Sequence, residues 1–137
     1  MVAVDVAPEV EGGAVQTLIY VGCGGNNNGN LNDWWEYSVA DKTWVERASL
    51  PGPARHHPFY FHARGIDSDG DRQFAYVGLG HGSTAIAGKR VYKDFYRFDP
   101  VDKSWTQVAS ISGTSMSIRL GACYYQNQIH NMQPPAR

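Results

Sequence analysis

Charge is in short supply. Only 18% of the 137 residues are Asp, Glu, Lys or Arg, and the formal net charge is −1. No basic field exists to attract nucleic acid or an acidic membrane surface, so neither is expected as a partner. Cysteine is scarce as well. Cys23 and Cys123 stand 100 positions apart, which excludes a scaffold of closely spaced disulfides. Two buried or half-buried thiols are expected instead. No apolar run approaches the ~20 residues that span a bilayer. The opening "MVAVDVAPEVEGGAV" has neither a basic segment nor a long apolar core. A secretory leader is therefore not expected, and the cytoplasm is the default compartment if Met1 is the true start. Long amphipathic helices are missing too: no segment keeps a 3.6-residue apolar period over three turns.

What is present points to sheets. Hydrophobic residues make up 42% and aromatics 12%, with 15 glycines and 7 prolines spread along the chain. That composition suits many short, ring-rich strands joined by tight turns. "TLIYVG" and "QFAYVG" are apolar runs closed by glycine, while "DWWEYSV", "DFYRFDP", "TWVERA" and "SWTQVA" alternate.

The chain also repeats itself. Moved on by 61 positions, Asp33-Trp34-Trp35-Glu36-Tyr37 falls on Asp94-Phe95-Tyr96-Arg97-Phe98, and Asp41-Lys42-Thr43-Trp44 on Asp102-Lys103-Ser104-Trp105. Moved on by 56, Tyr20-Val21-Gly22-Cys23-Gly24 meets Tyr76-Val77-Gly78-Leu79-Gly80. Moved on by 64, Arg55 meets Arg119. The drift in offset places insertions in loops. The unit is about 60 residues, and each full copy holds four short antiparallel strands, A to D. The expected divisions are 1–53, 54–117 and a third, truncated unit over 118–137. Residues 2–6 are the candidate strand A of the first unit.

A double glycine after an apolar strand, then Tyr or Phe, then Trp seven residues on, resembles the kelch repeat. Here it reads Gly24-Gly25, Tyr37, Trp44 and then Gly80-His81, Phe98, Trp105. Arg55 and Arg119 match the arginine that opens strand A. The resemblance covers residues 18 to about 130 and implies an all-β fold: an incomplete β-propeller of two to two-and-a-half four-stranded blades. It departs where His81 replaces the second glycine, which puts the turn there in question. On this reading the glycines close strand B and the asparagines fill the B–C loop. "GCGGNNNG" and "GLGHGS" are not phosphate cradles, because no helix follows them. A blade hides its flanks only against neighbours, so the chain is expected to need further blades or to self-associate.

Strand direction places the B–C and D–A loops on one face of the ring. That face collects Asn26, Asn27, Asn28, Asn30, Arg55, His81, Lys89, Arg90 and Arg119; the opposite face collects Asp67, Asp69, Asp71, Asp99 and Asp102. His56, His57, Tyr60 and His62, on the innermost strand A, are expected on or beside the wall of the central channel, and His56 is a further candidate binding residue. The resemblance implies a protein or peptide ligand on the first face, with Arg55 and Arg119 near the channel mouth to grip a carboxylate. Arg55 tying down loop carbonyls is the competing reading. No metal or other cofactor is expected. His56 and His57, read as adjacent strand residues, point to opposite faces, and "DSDGDR" lacks the glycine and glutamate of a calcium loop. No nucleophile constellation is visible. The alternative is part of a carbohydrate-acting propeller, similar to the copper oxidases or sialic-acid mutarotases. A third reading is a fragment without activity of its own.

Overall fold

The computed structural model describes residues 1–8, 11–65, 72–84, 88–108 and 110. The third unit expected over 118–137, together with Arg119, lies outside them, as do Asp67, Asp69 and Asp71.

Alternation builds the first sheet. In β1 (Val2–Val6), Val2 and Val4 point inward while Ala3 and Asp5 face out. This strand pairs with β2 (Gln16–Asn26), placing Val2 opposite Tyr20 and Val4 opposite Leu18. β3 (Gly29–Ser38) follows, then β4 (Thr43–Arg47), and the sheet order is β1-β2-β3-β4. The second sheet repeats the plan with β5 (Phe59–Arg64), β6 (Gln73–Gly78), β9 (Phe95–Asp99) and β10 (Ser104–Val108). All neighbouring strands are antiparallel. The chain is all-β, an incomplete propeller of consecutive four-stranded antiparallel sheets. Trp44 pairs with Tyr37, and Trp105 with Phe98, so the repeat occupies equivalent places in the two sheets.

The repeat extends to backbone torsions. Cys23 and Leu79 both have φ 56°, and the glycines after them, Gly24 and Gly80, have φ 103° and 79°. The chain kinks left-handed at this pair in each copy. His81, in the place of a second glycine, therefore loses nothing, because the positive φ falls one residue earlier than the sequence suggested. The C–D turns match likewise, with Lys42 at φ 59° and Lys103 at φ 53°. Ser38 Oγ receives the Asp41 amide, and Asp99 Oδ1 receives the amides of Val101 and Asp102.

Two expectations change. Strand B of the first sheet does not end at its glycines. After a bulge between Gly22 and Gly24, the ladder continues through Gly24–Leu31, Gly25–Asn30 and Asn26–Gly29. The turn lies at Asn27-Asn28, closed by the Asn28 amide on Asn26 Oδ1 at 2.8 Å. In the second copy the same extension forms a hairpin of its own, β7 (His81–Thr84) with β8 (Gly88–Val91). A glycine kink redirects the ladder rather than stopping it.

Between the sheets lies the core: Val4, Leu18, Tyr20, Trp34, Leu50, Val77 and Phe98. Tyr20 stacks on Trp34 with ring centroids 5.5 Å apart, and Phe98 and Trp105 of the second sheet close on Trp34 at 5.9 and 5.1 Å. Each such ring contributes roughly 2–3 kcal/mol when fully buried. A polar seam runs through the same interface. Glu36 receives the Tyr20 hydroxyl, Arg47 and, from the second sheet, Lys103, each at 2.7 Å. Burial pushes the Glu36 carboxyl up, but these hydrogen bonds outweigh it and hold the group below its ordinary value. The Trp105 indole donates to the Ala48 carbonyl, and the Tyr60 hydroxyl to the Gly22 carbonyl.

Among the described residues, rings are partly exposed on the outer flanks. On the first sheet Trp44 is 55% exposed, although its counterpart Trp105 packs on Trp34. On the second, Phe59, Phe61, Tyr76 and Phe95 form a ring ladder, with Phe61 stacked on Tyr76 at 4.7 Å. Tyr76 and Phe95 are the counterparts of Tyr20 and Trp34, which are fully buried.

Candidate functional site

The loop-bearing rim is organised around the linker that leads into β5. Leu50 anchors the linker in the core, with its amide on the Asn32 carbonyl. The Arg55 amide donates to the Leu31 carbonyl, and the Gly24 amide to the Arg55 carbonyl. Arg55 itself is wholly buried. It donates to both Asp94 oxygens at 2.8 Å and to the carbonyls of Pro53 and Leu79, and it lies over the Tyr92 ring at 4.8 Å. Burial pushes the Asp94 carboxyl up, but the guanidinium overrides this and holds it below its ordinary range. The carboxylate expected for Arg55 is thus present, but it belongs to the same chain. Arg55 offers no exposed face to an outside ligand, so the expected gripping role for it does not fit this geometry.

The first sheet carries the same acid without the same partner. Asp33 is the counterpart of Asp94. Its Oδ2 accepts the Trp35 indole N–H at 3.0 Å, while its Oδ1 is buried with no hydrogen-bond partner among the described residues. Nearby Cys23 is half-buried, and burial pushes its thiol up to about 11. It therefore stays protonated at neutral pH.

Three histidines gather above the arginine clamp. His56 and His57 do not lie on a strand, because β5 starts at Phe59, beyond Pro58. His57 takes φ 52°. This left-handed residue swings its ring to the same side as that of His56, and the two rings stack at 3.9 Å. The expected separation to opposite faces does not occur. His56 forms an isolated antiparallel bridge with His81, with amide–carbonyl distances of 2.8 and 3.0 Å. His57 Nδ1 lies 3.2 Å from His81 Nε2. Gly80 permits this approach, since a Cβ there would stand 2.7 Å from the His56 carbonyl oxygen. His62, exposed on β5, is not part of the group.

The Asn26, Asn27 and Asn28 side chains are exposed at the tip of the β2–β3 hairpin. Gly25 of that hairpin borders the His56 ring. The rim thus holds the His56–His81 bridge beside Gly25, next to which Asn26 and Asn27 follow in the hairpin. It adds His57 and Tyr92, and it withdraws Arg55 into the interior. Pro58 carries the signal for His57: proline gives no ladder hydrogen bond, so the strand had to begin after the pair.

No protein-family model matches the chain. It is similar to the N-acetylneuraminate epimerase of Pasteurella multocida (strain Pm70), with 29% identity over 108 residues, 78% of this chain and 26% of that protein. The chain spans about a quarter of the length of that curated relative. A likeness of that length cannot be confined to either sheet alone.

Proposed function

We propose that this chain contributes two blades of a kelch-type propeller that acts on carbohydrate, with an acidic amino sugar of the N-acetylneuraminate kind as its ligand class. The likeness to the epimerase carries this reading. The rim supports it. Exposed amides at Asn26, Asn27 and Asn28 and the imidazoles of His56, His57 and His81 offer hydrogen-bond donors and acceptors of the kind that sugar hydroxyls require. With Arg55 committed to Asp94, Arg119 is the proposed partner of the sugar carboxylate.

Saturation-transfer NMR on the 137-residue chain tests this. N-acetylneuraminate should receive saturation where galactose does not, and Arg119→Ala should abolish it. Equal response from both sugars, or none from either, removes the reading.

The inserted hairpin favours a second reading, in which the same rim holds a peptide or protein. Among the described residues β7 and β8 form a two-stranded sheet; His56 already bridges β7 at His81, and the β8 edge suits an extended peptide added as a strand. Selection from a displayed peptide library should then yield binders that a variant with a shortened β7–β8 hairpin no longer retains. A library that yields none discards this reading.

A further inference from the structure

We propose that His56, His57 and His81 form a site for one divalent transition-metal ion of the zinc type, with a fourth position open to solvent. One nitrogen from each ring lies within 4.8 Å of the other two. Tetrahedral coordination with Zn–N bonds of ~2.0–2.1 Å sets its nitrogens about 3.3 Å apart. His57 and His81 already stand at 3.2 Å. Binding would draw the remaining spacings together by turning the imidazoles about their side-chain torsions.

The backbone is arranged for this. Paired amide–carbonyl bonds hold His56 and His81 to each other. Arg55 fixes the linker one residue upstream, and its charge is matched by Asp94. His57 adopts a left-handed conformation, φ 52°, that residues with a side chain seldom take. Without that conformation, adjacent histidines diverge; with it, both rings serve one point in space. Two ligands come from the linker and the third from β7, a hairpin absent as a separate element from the first copy. Imidazole-only ligation selects zinc, copper or nickel over magnesium and calcium, which need oxygen. Three protein nitrogens leave a coordination position for water or an oxygen ligand, the pattern of open rather than purely structural sites.

The test is calorimetric titration of the chelator-stripped 137-residue chain with Zn²⁺. One equivalent should bind, with Mg²⁺ giving no saturable heat. His57 is exposed, so His57→Ala should leave the far-UV spectrum unchanged. It should also weaken Zn²⁺ binding by more than about tenfold, since losses outside the ligand shell alone reach that size. His62→Ala combined with His130→Ala, which removes the other two histidines, should bind as before. The proposal is overturned by an absence of saturable binding, by equal affinity in a folded His57→Ala chain, by loss in the His62/His130 variant, or by matching affinity for Mg²⁺. Sugar binding is read separately through Arg119, so either proposal can fail alone.

Discussion

Arg55 and Asp94 form a two-pronged ion pair, with both distances 2.8 Å and the arginine wholly enclosed. The equivalent acid of the first sheet, Asp33, has a buried oxygen with no such partner among the described residues. One substitution at the two positions should therefore give unequal results. Asp94→Asn strands a buried guanidinium and should cost about 3 kcal/mol. Asp33→Asn removes a charge that gains little from its surroundings and should change stability by less than about 0.5 kcal/mol. Urea unfolding midpoints compare them directly. Equal losses would mean that Asp33 is matched elsewhere.

Acid should loosen the interface between the sheets. Glu36 and Asp94 both sit below their ordinary values in the folded chain, so the unfolded chain binds more protons at mildly acid pH. Their contribution is complete above the unfolded carboxylate value of about 4 and is lost as pH falls through the folded values. Thermal unfolding followed from pH 6 to pH 2 should show Tm falling most steeply below about pH 4. Glu36→Gln should flatten that fall while lowering Tm at pH 6. A parallel curve would rule out Glu36 as a source of the dependence.

Equivalent tryptophans should differ in worth. Trp105 packs on Trp34 and Phe98 and donates to Ala48, whereas Trp44 touches Tyr37 and is otherwise open. Trp105→Ala is expected to cost on the order of 2 kcal/mol, and Trp44→Ala less than about 0.5 kcal/mol. Chemical denaturation of the two variants decides the matter.

Exposed rings at Trp44 and Phe59 should make the chain associate. Size-exclusion at micromolar concentration is expected to show species larger than the 15.2 kDa chain. Glutamate at Trp44 and Phe59 together should return it to a monomer. A folded wild-type monomer that elutes cleanly would show that these faces are not adhesive.

Gly80→Ala should disturb the rim. The new Cβ would press on the His56 carbonyl in a left-handed conformation, costing upwards of 1 kcal/mol. Hydrogen exchange at the amides of His56 and His81 should accelerate, and unchanged exchange would show that the bridge tolerates the added carbon.

The sheets were legible because their signal is local and doubled. Period-two alternation and the paired rings at Tyr37–Trp44 and Phe98–Trp105 recur in the sequence at the spacing at which they pair in the sheet. The rim was less legible because its determinants are distant or conformational. Asp94 lies 39 residues from Arg55, and spacing alone does not join them. The left-handed His57 reverses the direction that its neighbour's position implies. The β7–β8 hairpin hides in a glycine-rich stretch without alternation, where only the matching kink at Leu79-Gly80 gives it away.

That kink has a consequence for tolerance to change. Cys23 and Leu79 share a torsion that neither side chain favours, and they have nothing else chemically in common. What the two copies preserve at this point is a direction of travel for the polymer. Asparagine or glycine should substitute at either position with the path intact, whereas a β-branched residue would have to redraw the corner from which the rim is hung.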